Sequence, residues 1–137
     1  MALVIDTGVL YATLDVRDRH HAACTRLLTE AREHRVVPAP TLVEIDSLCS
    51  YAPAGRFQPL LDQIDSGALV VEDLFPEDYR RAAKLLNTYA DLHVGFVDAA
   101  VLAIVERLRE PKLATLDHRH FTVMRPRHVD ALELLPA

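Results

Sequence analysis

The apolar residues of this chain follow two patterns that alternate along the sequence. Short apolar runs without polar alternation are typical of strands buried on both faces of a parallel sheet. The first such run covers residues 3–5, and a helical period follows it directly from Thr7. Further strands are predicted at residues 36–39, 69–71 and 112–116, with a last edge strand at 131–135.

Stretches in which apolar residues recur every three or four positions separate these strands and predict helices. Thr7 is the expected N-cap of the first helix, and Asp18 is the expected N-cap of the second. The stretch from Val97 is almost wholly apolar, so we expect that helix to be buried. A loop at 90–95 and a turn at 117–121 follow neither pattern. After the first helix, the predicted helices cover residues 19–33, 41–52, 56–65, 76–89 and 97–108.

The alternation of strands and helices predicts the fold class. Strands joined by helices form parallel βαβ units, with helices on both faces of the sheet. We therefore expect an α/β protein with three α/β/α layers around a short, mainly parallel sheet. At 137 residues, with no repeat or linker, residues 1–137 are expected to form one domain.

Composition narrows the location and partners of the protein. Half the residues are hydrophobic, but no apolar run approaches the roughly 20 residues that span a bilayer, and no leader sequence precedes Leu3. We expect a cytoplasmic protein that does not associate with membranes. Cys24 and Cys49 lie in apolar helical patterns and are expected to be reduced core residues. The net charge of −5 argues against non-specific coating of nucleic acid.

Four acidic residues occur where apolar patterns end or begin. Asp6 follows the first predicted strand and Asp117 follows the fourth, while Glu44 and Asp98 lie in the first turns of apolar helices. Each has an ordinary alternative: Asp6 and Asp98 as helix caps, Glu44 as an exposed residue, and Asp117 as a turn former. Because the carboxyl ends of parallel strands share one edge of a sheet, we expect the four carboxylates to converge there.

Convergence of four carboxylates has an electrostatic consequence. Two carboxylates about 4 Å apart repel by about 4 kcal/mol at an effective dielectric constant of 20. A multivalent cation would relieve this repulsion, and oxygen ligands favour the hard ions Mg²⁺ or Mn²⁺. A carboxylate-held Mg²⁺ that keeps some of its waters is suited to hydrolysis of a phosphodiester.

Four segments around these acids resemble the acidic motifs of PIN-domain ribonucleases, and more narrowly those of the VapC toxins of bacterial toxin–antitoxin pairs. The resemblance extends over essentially the whole chain. It rests on Val4-Ile5-Asp6-Thr7, Leu42-Val43-Glu44-Ile45, Phe96-Val97-Asp98-Ala99-Ala100, and the segment Ala114-Thr115-Leu116-Asp117-His118-Arg119-His120-Phe121.

The resemblance implies a Mg²⁺-dependent endoribonuclease that a VapB-like antitoxin inhibits. It implies that Asp6 and Asp98 are the principal metal ligands and that Glu44 and Asp117 complete a catalytic quartet. Thr7 and Thr115 are possible supporting hydroxyls. Asp91 is interpreted as a helix-end residue or as a residue that supports the metal ligands without binding the ion.

Partner surfaces can also be assigned as expectations. The segment from residue 107 to residue 128 carries five Arg, one Lys and three His against two acids. Within it, Arg119, Arg125 and Arg127 are our candidates for RNA contact. His118 and His120 are interpreted as RNA-contacting or merely solvated residues, with zinc ligation a weaker alternative.

Self-association is expected as well. The resemblance implies a homodimer, and the helices at 41–52 and 56–65 are amphipathic, with Tyr51, Pro53 and Phe57 between or beside them. A domain this small is not expected to bury all these apolar groups. Two other classes of protein stay open at this point, namely another phosphate-hydrolysing α/β enzyme and a non-catalytic interaction module.

Overall fold

The computed structural model describes residues 1–137 and consists of a five-stranded parallel sheet with helices on both faces. The strand order is β3-β2-β1-β4-β5, so β1 lies at the centre of the sheet. This confirms the predicted fold class. The strands are β1 (Ala2–Ile5), β2 (His34–Pro38), β3 (Val70–Glu72), β4 (Lys112–Ala114) and β5 (Glu133–Leu135).

Seven α-helices connect the strands, and a short 3-10 turn at Ala90–Leu92 replaces part of the predicted loop. None of the helices combines the length and apolar character needed to cross a membrane. The helices are α1 (Thr7–Leu14), α2 (His21–Glu30), α3 (Ala39–Cys49), α4 (Gln58–Asp65), α5 (Pro76–Thr88), α6 (Phe96–Leu108) and α7 (His118–Val123).

The sheet divides the hydrophobic core into two layers, which explains why its strands show no polar alternation. Leu3 and Ile5 point to a cluster that includes residues of α1, α3 and α4. Val4 points to the opposite cluster, formed largely by α5 and α6. Because alternate strand residues meet different helical layers, both faces require apolar side chains.

Helix α6 is the most deeply buried helix, as its sequence predicts. Every residue from Ala99 to Val105 is buried, and α6 packs along α5. Its first turn, which carries Asp98, therefore has a fixed position beside the end of the sheet.

Three local predictions were wrong. Asp6, not Thr7, is the N-cap of α1, because its Oδ1 accepts the Thr7 backbone N–H at 2.8 Å. The second helix begins at His21 and not at residue 19. The turn predicted at 117–121 is the start of α7, because Asp117 Oδ1 accepts the His120 backbone N–H and caps that helix.

The buried carboxylate of Glu106 provides a test of this packing. Arg81, on α5, donates two hydrogen bonds to it at 2.7 and 2.9 Å. Replacing Arg81 with Ala removes both bonds and leaves the buried charge with only the more exposed and more distant guanidinium of Arg127, so the free energy of unfolding is expected to fall by about 3 kcal/mol. Urea unfolding with an unchanged m-value measures this loss. The neighbouring Arg80→Ala, at an exposed position, is the control, and equal stability of the two variants would contradict the prediction.

Candidate active site

The centre of the candidate site is formed where β1 and β4 end side by side. Asp6 follows β1 and Thr115 follows β4, and these two strands are paired in parallel. Thr115 Oγ1 donates to Asp6 Oδ2 at 2.9 Å and accepts the backbone N–H of Asp117 at 3.0 Å. One buried hydroxyl thus joins Asp6 to the segment that carries Asp117.

Glu44 reaches this edge from α3, which packs against α1. Its Oε1 accepts a hydrogen bond from Thr7 Oγ1 at 2.6 Å. Thr7, which follows Asp6 in the chain, therefore orients the Glu44 side chain toward Asp6. Glu44 itself is exposed, so the residue is at once a solvent-facing helix residue, as its ordinary alternative required, and part of the acidic edge.

Asp98 and Asp117 meet through a histidine. His120 Nδ1 lies 2.8 Å from Asp117 Oδ2 and 3.3 Å from Asp98 Oδ2. One donor atom from each of the three residues fits within a group no wider than 4.8 Å. Asp98 also accepts the Gly95 backbone N–H at 3.3 Å, so it stabilises the start of α6 as well.

The pKa values show that the acids influence one another. The pKa of Asp6 is raised from 3.8 to about 6. Burial is the largest cause of this shift, and the charges of Asp98 and Glu44 make smaller contributions in the same direction. Burial also raises the pKa of Asp98, with the Asp117 charge as the second cause. Hydrogen bonds from Thr7 and Thr115 to Asp6 oppose the shift. The four acids therefore form one electrostatic unit.

The donor set fits a divalent cation. Four carboxylates supply hard oxygen ligands. Burial first, and the charges of neighbouring acids second, raise the pKa values of Asp6 and Asp98, and a cation would relieve both effects. Asp6, the most deeply buried of the four, and Asp98 can hold such an ion, and Glu44 and Asp117 lie beside them.

The other candidate residues lie at varying distances from this cluster. Asp91 is exposed in the 3-10 turn, and no hydrogen bond or ion pair joins it to the four acids. Arg119 is exposed in the first turn of α7, beside His120. The Arg125 backbone N–H donates to Tyr89 Oη, and the Arg127 backbone N–H donates to Glu106 Oε2. Glu106 is eight residues, or about 12 Å, along α6 from Asp98, so Arg127 lies farther from the acids than Arg119.

His120 is the residue that sequence reasoning undervalued. It was weighed as a solvated or RNA-contacting residue because residues 117–121 were interpreted as a turn. Once Asp117 is recognised as an N-cap, the spacing of three residues places the His120 side chain near Asp117. The capping residue was the available signal.

The raised pKa of Asp6 predicts how stability depends on pH in the metal-free protein. Between pH 4 and 6 the folded state binds more protons at Asp6 than the unfolded state, so stability falls as pH rises through this window. The shift corresponds to at most about 3 kcal/mol. Asp6→Asn removes the charge, so its stability advantage over wild type should grow from pH 4 to pH 6.5 and then stay constant.

Urea unfolding in EDTA across this pH range measures the effect. Asp46→Asn, an exposed position on the same α3 helix as Glu44, serves as the control and should show no such gain. A stability difference between Asp6→Asn and wild type that does not vary with pH would refute the assignment of a raised pKa to Asp6.

Comparisons with known proteins agree with this architecture. The chain is 28% identical over 125 residues to ribonuclease VapC26 of Mycobacterium tuberculosis, covering 90% of this chain and 93% of that protein. Its structure is similar to that of M. tuberculosis VapC20, described as a sarcin-ricin loop cleaving toxin, with a TM-score of 0.73 and 20% identity over 81% of this chain and 86% of that one. It is also similar to a chain of VapBC2 from Rickettsia felis, solved bound to a promoter DNA fragment, with a TM-score of 0.71 and 16% identity over 98% of both chains.

The sequence profile of the PIN domain matches residues 3–125, which include all four acids and both supporting threonines. The match extends over most of the chain and contains each of the motifs on which the resemblance rests. The chain belongs to the PIN domain family.

Proposed function

We propose that this protein is a metal-dependent endoribonuclease of the VapC type, formed by a single PIN domain over residues 1–137. The observation that carries the proposal is the convergence of Asp6, Glu44, Asp98 and Asp117 on one edge of the sheet. A ribonuclease named VapC26 and a sarcin-ricin loop cleaving toxin among the similar proteins support RNA as the substrate.

Each acid has a distinct part in the proposed mechanism. Asp6 and Asp98 would hold Mg²⁺, for which Mn²⁺ could substitute, and Glu44 and Asp117 would complete the quartet by binding the ion or orienting the water around it. When bound, the ion supplies charge neutralisation at the phosphodiester and an activated water. Thr115 fixes the rotamer of Asp6 through its 2.9 Å hydrogen bond, and Thr7 fixes Glu44 in the same way.

A regulatory partner follows from the same proposal. A toxin–antitoxin complex from Klebsiella pneumoniae has a similar fold, with a TM-score of 0.67, and we extend a VapB-like antitoxin to this chain. A surface suited to it lies on α3 and the segment after it, where Val43, Leu48 and Tyr51 are 73, 43 and 92% exposed. An apolar antitoxin helix can pack on this face. A terminal Arg on that partner would then reach the acidic quartet and neutralise it.

Self-association is proposed on the same physical ground. Tyr79 and Phe96 stack with ring centroids 6.3 Å apart, and each is about half exposed, at 55 and 43%. Together with the apolar face of α3, this leaves more exposed apolar area than a monomer needs, which favours a homodimer.

Loss of the metal or of a principal ligand should abolish cleavage. We expect RNA cleavage to stop in excess EDTA and to return with added Mg²⁺, because oxygen ligands favour hard cations. Asp98→Asn should lower the cleavage rate by about a hundredfold or more, the order seen when a preorganised electrostatic group is removed. A gel assay on a structured RNA measures both effects.

The control for this experiment is Asp91→Asn, which changes an exposed acid outside the cluster and should leave the rate unchanged. Undiminished cleavage in EDTA would refute the metal mechanism. Unfolding of Asp98→Asn, detected by circular dichroism, would instead make Asp98 a structural cap of α6.

RNA binding should depend on a local basic rim because the whole protein is acidic. Arg119→Ala, made in the inactive Asp98→Asn background, should weaken binding to a labelled RNA hairpin. The slope of log K against log salt concentration for RNA binding should decrease in magnitude by about 0.7–0.9, because one phosphate contact is lost. Arg127→Ala should change the slope less, because its guanidinium lies 3.6 Å from Glu106.

The matched control is Arg26→Ala, an exposed arginine on α2. Fluorescence anisotropy titrations from 50 to 300 mM salt measure the slopes. An unchanged slope for Arg119→Ala, with a reduced one for Arg26→Ala, would place the RNA path on a different face of the molecule.

A further inference from the structure

His120 has a place in the acidic cluster that the four-carboxylate description does not include. Its ring is partly buried, with 22% of the side chain exposed, and its Nδ1 faces Asp98 Oδ2 and Asp117 Oδ2 together. No other histidine of the chain has a ring nitrogen within 4.0 Å of a carboxylate oxygen. The cluster therefore contains one nitrogen donor among its oxygen donors.

The distances around Nδ1 are those expected of neighbouring metal ligands. Two ligands at right angles, each about 2.1 Å from an ion, are separated by about 3.0 Å. The separations of 2.8 and 3.3 Å from Nδ1 to the two carboxylate oxygens bracket this value. A single ion can thus contact one atom from each of the three residues with small adjustments of side-chain torsions.

The fold holds His120 in this position independently of any ion. Asp117 Oδ1 accepts the His120 backbone N–H at 3.1 Å, which fixes the first turn of α7. Thr115 in turn holds the Asp117 backbone N–H at the end of β4. The imidazole is therefore anchored at the end of β4, next to the end of β1 that carries Asp6, and is not carried by a free loop.

We infer that His120 supplies an imidazole ligand, with Asp98 and Asp117, to the divalent-metal site, and that it shifts the preference of this site from Mg²⁺ toward Mn²⁺. The inference rests on the proposed function, because it concerns the same metal site. Imidazole favours first-row transition ions, whereas Mg²⁺ binds almost entirely through oxygen.

A different role for His120 would leave the same contacts in the metal-free protein. As a hydrogen-bond donor alone, it would orient Asp117 and never touch the ion. His120→Asn separates the two roles, because the Asn amide keeps a donor but has no imidazole nitrogen. His120→Ala removes both, and His118→Ala, an exposed position on the same helix, is the matched control.

The experiment measures binding of the metal alone, without RNA. Isothermal titration of the metal-free full-length protein with MnCl₂ and with MgCl₂ gives the ratio of the two affinities. Electron spin-echo envelope modulation of the Mn²⁺-loaded protein detects a directly coordinated ¹⁴N. We expect ¹⁴N modulation in wild type and in His118→Ala, and its loss in His120→Asn and His120→Ala.

The affinities should change in parallel with the spectra. Mn²⁺ binding should weaken by at least about tenfold in both His120 variants, the lower end of the loss seen when even an outer partner of a metal ligand is removed. Mg²⁺ binding should change much less. Circular dichroism of the metal-free variants verifies that α7 and the sheet are intact.

The outcomes separate this inference from the proposed function. Tight Mn²⁺ binding without ¹⁴N modulation in wild type would overturn the role of His120 and leave the metal-dependent nuclease intact. Full retention of Mn²⁺ affinity in His120→Asn would do the same. Failure of wild type to bind either ion would overturn both, because no metal site would then exist.

Discussion

The burial of the Asp6 carboxylate at the end of β1, close to other carboxylates, is the constraint on which the rest of this structure depends. Asp6 is only 6% exposed, and its pKa is raised to about 6. A carboxylate in such a place needs compensation, and the fold provides some of it through the Thr7 N–H and the Thr115 hydroxyl. These hydrogen bonds require β1 and β4 to be adjacent and in register. The strand order thus serves the site as much as it serves the core.

The burial of helix α6 in the hydrophobic core fixes the position of Asp98. Seven consecutive buried residues, from Ala99 to Val105, hold the helix against the sheet. At its far end, the ion pairs of Arg81 with Glu106 and of Arg107 with Asp78 join it to α5. Because the middle and the far end of α6 are fixed, its first turn cannot move away to relieve the repulsion between Asp98 and its neighbours. The packing of the rest of α6 thus keeps the Asp98 carboxylate close to other carboxylates that repel it.

Sequence patterns were informative where burial dominates and failed where a side chain decides the backbone. Residues 3–5 and 97–108 were assigned from their apolar character, which reflects the two core layers that enclose them. The start of α7 was missed because a single capping bond from Asp117 creates it, and a turn and a short helix share the same local sequence preference. Val43 is one of the apolar residues of the helix predicted at 41–52, yet it is 73% exposed, because an apolar pattern does not reveal whether the chain itself or a partner covers a helix face. His120 was undervalued because its role depends on the α7 backbone.

The hydrogen bond between Thr115 and Asp6 joins residues 109 positions apart in the chain. Contacts of such long range form late, because a large loop must close before they contribute to stability. A chain still being synthesised contains Asp6 and Glu44 well before it contains Asp98, Thr115 or Asp117. The acidic edge therefore cannot assemble on a nascent chain until the segment that carries Asp117 has left the ribosome. The order of the site residues along the sequence therefore keeps the four carboxylates apart during most of the synthesis of this domain.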